Sequence, residues 1–191
     1  AKAQLEWFDS IYNTSISQKI AVGFPNNRGD KMKKQRERFI SQFIGSIRTP
    51  GKGLPFEIGL LSLDRNGNVS FTKRGVDFVL QDNPVIDQNE WSGEHSLSIV
   101  ERKILLEGIK LNLPMEHAFM ISMVDWIQKG KNTPDSLEKE ILKSFQLSKT
   151  EASLMRTGVL ARMIELGIIV RNQNGRMATY ALTEVKSEVV N

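Results

Sequence analysis

Cysteine is absent from this 191-residue chain, and histidine occurs only twice. Without cysteine the chain can form neither disulfides nor thiolate metal sites. His95 and His117 lie 22 positions apart with no patterned carboxylates between them, so no metal site or acid–base pair is expected. The nucleophile elbow, the zinc-protease motif and the dinucleotide-binding glycine pattern are also missing. We therefore expect no enzymatic activity, no metal and no cofactor.

Long apolar runs are missing as well. No stretch reaches the roughly 18 apolar residues of a transmembrane helix, and the first residues mix charged with apolar side chains, unlike a secretory signal. With the lack of cysteine, these features predict a cytoplasmic protein with no membrane partner. The chain begins with Ala1 rather than methionine, which favours a trimmed protein or a fragment.

Positive charge is modest overall and uneven along the chain. The 26 Lys/Arg and 22 Asp/Glu residues give a net charge of +4. Residues 1–84 hold 13 basic and 8 acidic residues (+5), residues 85–145 hold 7 and 10 (−3), and residues 146–191 hold 6 and 4 (+2). The basic ends permit local phosphate-binding surfaces, and the acidic middle favours a contact between domains or subunits. A mildly basic protein without a polyanion partner is the alternative.

The most informative stretch lies near the C-terminus. Ser148 followed by Glu151 is a capping box, which predicts a helix over residues 149–166. Gly167 is typical of a helix C-terminus, and the later Asn174-Gly175 pair predicts a β-hairpin turn. The predicted buried stripe of the helix consists of apolar residues at three- and four-residue spacing: Ala152, Met155, Val159, Met163 and Leu166.

Two further helices are predicted before this one. Pro114 opens an apolar-periodic run that ends near Gly130, and Thr133-Pro134 is typical of the start of a second helix. Three helices followed by a β-hairpin resemble a winged helix-turn-helix domain, here over residues 114–191. We predict that the methionines of this region, Met115, Met120, Met123 and Met163, are mainly core residues, with an adaptable interface as the alternative.

A second hairpin is predicted over residues 57–72, with its turn at Asn66-Gly67. Both hairpins end in a threonine, Thr72 and Thr183, so the resemblance extends to two winged-helix domains in tandem. The expected fold class is α+β, mostly α. The expected domains are a degenerate first copy at 1–84, a linker with a helix at 85–113 and the second copy at 114–191. In the first copy, residues 49–55 are predicted to be a loop that separates a helix at 31–48 from the hairpin.

The resemblance implies how such a protein would bind double-stranded DNA. In the family, the second helix of the helix-turn-helix enters the major groove and the wing follows the backbone or the minor groove. Arg156 is the expected guanine contact, and the hypothesis requires both Arg156 and Arg162 to be accessible. The expected DNA contacts are Lys149, Thr150, Ser153, Arg156 and Thr157 on the helix, Arg171, Asn174 and Arg176 on the wing, and Lys33, Lys34 and Arg36 in the first copy. The last three residues are equally typical of a solvated helix face.

Three functions fit this sequence. The first is a transcription regulator that binds DNA, either alone or as a homodimer. The second is a DNA target-recognition module that works with other domains of a larger enzyme, such as a restriction or nicking endonuclease. The third is a protein-interaction scaffold, because some winged helices bind proteins instead of DNA.

Overall fold

The structure is a computed structural model that describes residues 45–46, 49–50, 53–84, 87, 97–175 and 177–185. The chain divides into two compact units, residues 1–104 and residues 105–191. The described part is α+β and mostly helical, which confirms the predicted class. No helix in the described part is both long and apolar enough to span a membrane.

The described part of the first unit contains short elements, among them two antiparallel strand pairs. In chain order the elements are β1 (Gly45–Ser46), β2 (Thr49–Pro50), α1 (Leu54–Glu57), β3 (Leu61–Leu63), β4 (Val69–Phe71) and α2 (Lys73–Val79). Strand β1 pairs with β2, and β3 pairs with β4. The predicted loop at 49–55 is therefore wrong, since a strand and a helix begin within it. Pro55 lies in the first turn of α1, where its fixed φ and missing N–H favour a helix start.

Helix α3 (Ile99–Asn112) lies within the predicted linker and begins at a capping box formed by Ser98 and Glu101. The Ser98 backbone amide donates to the Glu101 carboxylate at 2.6 Å, and the Glu101 amide donates to the Ser98 hydroxyl at 3.2 Å. The Glu101 side chain is buried, and its two oxygens accept from Asn83 Nδ2 at 3.0 and 3.1 Å. The start of α3 is thus tied to the segment that follows α2.

The second unit shows the predicted order of three helices and a hairpin. Its elements are α4 (Pro114–Gln128), α5 (Pro134–Ser144), α6 (Lys149–Glu165), β5 (Ile169–Asn174) and β6 (Met177–Leu182). The hairpin is antiparallel, with Ile169 opposite Leu182 and Asn174 opposite Met177. It is tied to the helices by the Tyr180 backbone amide, which donates to the Asn132 carbonyl between α4 and α5 at 2.8 Å.

The core of the second unit lies between α4, α5 and α6 and continues under the root of the hairpin. Met120, Met123 and Met163 are fully buried, which confirms the prediction that they are core residues. The prediction is wrong for Met115, because its side chain is 78% exposed at the start of α4. Other fully buried members of this core are Phe119, Leu137, Ile141, Ile168 and Ile169.

The buried stripe of α6 differs from the predicted one at both edges. Ala152, Val159, Met163 and Leu166 are buried as expected. Met155, however, is 39% exposed, and Leu160, which the prediction omitted, is only 3% exposed. Met155 and Leu160 lie at opposite edges of the stripe, so α6 is turned slightly about its axis relative to the prediction.

Both hairpins are closed by the same set of hydrogen bonds, which we call the threonine clasp. A glycine with positive φ precedes each hairpin, Gly59 (φ 74°) and Gly167 (φ 69°). The Thr72 hydroxyl donates to the Gly59 carbonyl at 2.6 Å, and the Thr183 hydroxyl donates to the Gly167 carbonyl at 2.5 Å. Each threonine amide also donates, at 3.0 Å, to the carbonyl one residue after that glycine. The two predicted exits from the hairpins therefore share one geometry.

Candidate nucleic-acid interface

The N-terminus of α6 is exposed and fully capped. The Ser148 hydroxyl donates to the Glu151 carboxylate at 2.6 Å, and the Glu151 backbone amide donates back to that hydroxyl at 3.3 Å. The hydrogen bond from the Ser148 side chain lowers the pKa of the exposed Glu151 carboxyl, with a smaller contribution from the Ser148 amide. Lys149 and Thr150 follow on the surface, as the sequence predicted.

The centre of the outward side of α6 carries small or apolar side chains, and Glu151 and Glu165 are exposed near its two ends. Thr150, Leu154, Thr157 and Ala161 are all exposed, and Leu154 is 69% exposed. The Thr157 hydroxyl donates to the Ser153 carbonyl at 2.8 Å within the helix. Since its one proton is used there, Thr157 can offer a partner only acceptor lone pairs. Ser153 is half-buried beside it.

Arg156 does not point outward, although the DNA hypothesis required it to be accessible. Its Nη1 lies 2.9 Å from Glu138 Oε2 and donates to the Pro134 carbonyl at 3.0 Å, both on α5. The Arg156 and Glu138 side chains are 16% and 17% exposed. Removing this guanidinium from its carboxylate would leave a partly buried charge unpaired, which disfavours its transfer to a base.

Arg162 is engaged in the same way on the other flank of α6. Its Nη1 lies 2.9 Å from Glu116 Oε1 in the first turn of α4, and the two side chains are 25% and 23% exposed. Both arginines that the DNA hypothesis required to be accessible are therefore committed to partners inside the second unit. The sequence held no local pattern for these pairs, because Glu138 and Glu116 are 18 and 46 residues away.

The two strands of the second unit's hairpin differ in exposure: β6 is half-buried or buried from Ala178 to Leu182 and contacts α4, whereas β5 is exposed after Ile169. Residues 170–174 of β5 are all exposed, although a strand packed on one face would alternate between buried and exposed positions. Arg171 and Asn174, two predicted wing contacts, lie on this exposed strand. The hairpin sequence from Ile169 to Leu182 contains no Asp or Glu. Its surface therefore presents amides and cations without a carboxylate to repel a polyanion.

Four predicted contacts lie outside the described residues: Lys33, Lys34 and Arg36 of the first unit and Arg176 of the wing. Among the described residues of segment 148–176, Lys149 and Arg171 are the basic side chains without an ion pair. Within the part of this segment that the structure describes, the cations available to a partner are thus one lysine at the start of α6 and one arginine on the hairpin.

An apolar groove of about 630 Å³ runs beside α6 in the second unit. It was not predicted, because its lining depends on how the α4 start and the α5–α6 loop approach α6. The exposed Met115 lies at its rim, and Gly158 leaves open space on the α6 side. The lining comprises Asn112, Leu113, Pro114, Met115, Glu116, Phe119, Phe145, Leu147, Met155, Gly158, Val159 and Arg162.

Within the described residues, no group of three or more metal-ligating side chains comes together. Comparison with protein families, with curated proteins and with solved structures gives no significant match to this chain. The functional proposal below therefore rests on the geometry of the second unit and on the resemblance in its sequence.

Proposed function

We propose that residues 114–183 form a winged-helix domain that binds double-stranded DNA, with α6 in the major groove and the hairpin along the backbone. The observation that carries this proposal is the exposed strand β5, which carries Arg171 without an ion pair in a hairpin that has no acidic residue. We further propose that the chain is a transcription regulator and that the first unit, with the same threonine clasp, is a second, shorter winged helix.

The contacts of this interface differ from those expected from the sequence, because Arg156 and Arg162 are held in ion pairs and this proposal, unlike the sequence hypothesis, does not depend on their being accessible. Lys149 and Arg171 would bind phosphates, and Ser153 and Thr150 would supply hydroxyl groups near the bases or the backbone. Because Thr157 can only accept, it fits the amino groups of cytosine or adenine and not a phosphate oxygen. Leu154, at the centre of the outward side, fits a thymine methyl group.

Such an interface predicts weak dependence on salt. Each phosphate contact contributes about −0.9 to the slope of log K against log salt concentration, so Lys149 and Arg171 together give a slope of roughly −2. Fluorescence anisotropy with a random duplex at several salt concentrations measures this slope. A wild-type chain that fails to bind duplex DNA even at low salt would contradict the proposal.

Single variants locate the interface. Lys149→Ala and Arg171→Ala should each lower the magnitude of the salt slope by about 1. Lys129→Ala is the matched control, because Lys129 is exposed but pairs with Asp125 at 2.7 Å at the far end of α4. If Lys129→Ala weakens binding as much as Lys149→Ala, the contact is nonspecific and not centred on α6. If Lys129→Ala leaves binding unchanged, selection from random DNA would identify the preferred sequence.

The apolar groove favours a second candidate function, docking of an apolar segment of a protein partner. Most of its lining is apolar, and exposed Met115 is the kind of flexible side chain found at adaptable protein-binding surfaces. Met115→Lys separates the two functions, because a cation at the rim should disrupt apolar docking and leave DNA affinity unchanged or slightly higher. Loss of DNA binding in this variant, with the fold intact, would place the DNA on the groove instead.

A further inference from the structure

Two arginines of α6 are bound to two different helices. Arg156 contacts Glu138 and the Pro134 carbonyl on α5, whereas Arg162 contacts Glu116 on α4. They lie six positions apart, on opposite flanks of the buried stripe of α6, so a rotation of α6 about its axis would stretch one pair and compress the other. The two pairs are therefore placed to fix that rotation.

The apolar residues of α6 leave this rotation poorly determined. Ala152, Val159 and Met163 form the centre of the buried stripe, and either Met155 or Leu160 could complete it. The two side chains have similar size and hydrophobicity and lie at opposite edges. The free energy of burying apolar area therefore differs little between the two rotations of α6, one with Met155 buried and one with Leu160 buried. The structure has the Leu160 edge buried and the Met155 edge 39% exposed.

We propose that Arg156 and Arg162 are positioning residues that select this setting of α6 and so determine which side chains face outward. Partly buried ion pairs are best suited to such a role, since they specify register more than they add stability. In the selected setting Thr150, Leu154 and Thr157 form the outward side. The inference rests on the proposed function only for its consequence, which is the identity of the side chains that reach DNA.

The rotation can be measured without DNA, because the chain has no cysteine and a single introduced thiol reports its own exposure. In a Met155→Cys background, the thiol should react readily with a maleimide. Adding Arg156→Gln and Arg162→Gln should slow that reaction about fivefold or more as the Met155 edge turns inward. Thr157→Cys, placed on the outward side, is the matched control and should keep its rate.

A charge exchange keeps the test valid if the glutamine variants fold poorly. Arg156→Glu combined with Glu138→Arg restores an ion pair in the reverse sense and should return the Met155→Cys rate to within about twofold of the original. Unchanged labelling in the glutamine variants, or an exchange that folds but fails to restore the rate, would overturn the inference.

The DNA measurement separates a positioning residue from a phosphate contact. Arg156→Gln should weaken DNA binding about tenfold while leaving the salt slope unchanged, whereas Lys149→Ala should change the slope by about 1. A change of slope in Arg156→Gln would make Arg156 a DNA contact and contradict the inference. Failure of the wild-type chain to bind DNA would instead contradict the proposed function, and the labelling result would still decide the role of the arginines.

Discussion

Two hairpins of the described residues, β3–β4 and β5–β6, have the same hydrogen bonds at the base and different lengths. Thr72 and Thr183 close them with matching hydrogen bonds to Gly59 and Gly167. The strands of the first hairpin have three residues each and those of the second have six. The comparison teaches that the clasp fixes where a hairpin leaves its unit, while the number of residues beyond it sets how far the hairpin projects.

The largest expected effect concerns the packing at the base of the first hairpin, β3–β4. A Cβ on Gly75 of α2 would lie 2.0 Å from the Leu60 carbonyl oxygen, next to the clasp, so backbone would have to move. Gly75→Ala should therefore lower the free energy of unfolding of the first unit by about 3 kcal/mol. Chemical denaturation measures this change.

Gly158→Ala in α6 is the matched control. A Cβ there would meet no atom within 4 Å, and alanine is the better residue in a helix interior. The variant should raise the free energy of unfolding by roughly 0.5–1 kcal/mol. If both glycine variants change stability by the same amount, the close approach of α2 to Leu60 does not constrain the base of the first hairpin.

The second prediction compares the clasps themselves. Thr72→Val should lower the free energy of unfolding by about 2 kcal/mol, because the Thr72 hydroxyl also accepts the Gly75 amide and caps α2. Thr183→Val removes the corresponding clasp bonds and, in addition, only the hydrogen bond that the Thr183 hydroxyl accepts from the Val185 amide. A loss of about 1 kcal/mol in the free energy of unfolding is therefore expected. Serine at either position keeps the hydroxyl and should recover most of the stability. A larger loss at Thr183 would show that the clasps are not equivalent.

A loop graft tests whether the length of the second hairpin can be changed without changing the hydrogen bonds at its base. Replacing residues 172–179 by the sequence of residues 64–68 would leave three paired residues on each strand, as in the first hairpin. Circular dichroism and the unfolding midpoint should stay near wild type, because the clasp and the bond from Tyr180 to Asn132 remain. Affinity for duplex DNA should fall roughly tenfold through lost contacts. Unfolding of the second unit would show that the length of the hairpin cannot be changed independently of its base.

The smallest expected effect concerns the turns at the hairpin tips. In the first hairpin, the hydrogen bond from the Asn68 side chain, with those from the Asn68, Asn66 and Gly67 amides, lowers the pKa of Asp64. A lowered pKa in the folded state gives stability above the usual aspartate pKa that is lost as the pH falls through the folded value. Acid should thus loosen the first tip before the second, whose turn has no carboxylate. Amide NMR from pH 6 to pH 2 measures this, and Asp64→Asn should remove the difference.

The local part of this fold could be predicted from the sequence. The capping box at Ser148 and the Asn-Gly turns act through bonds within a few residues, and their patterns predicted α6 and both hairpins. The short helix α1 could not be predicted in the same way. At four residues it is too short to show a period, and only Pro55 indicates its start.

The orientation of side chains could not be predicted, because it depends on partners far away in the chain. Nothing near Arg156 indicates that Glu138 will lie 2.9 Å from it. Likewise, Met155 and Leu160 fit the helical period of α6 equally well, and only contacts with α4 and α5 decide between them. The sequence therefore predicted α6 and the hairpin as elements of structure, but not that Arg156 would lie in an ion pair with Glu138.

The bond from the Tyr180 amide to the Asn132 carbonyl, together with the threonine clasp, holds the second hairpin along the half nearest the helices. A fluorophore or a short epitope placed at the Asn174-Gly175 tip would consequently leave the folded domain undisturbed. Such a label would lie beside a nucleic acid bound along the hairpin, so a change in its emission would report binding in real time.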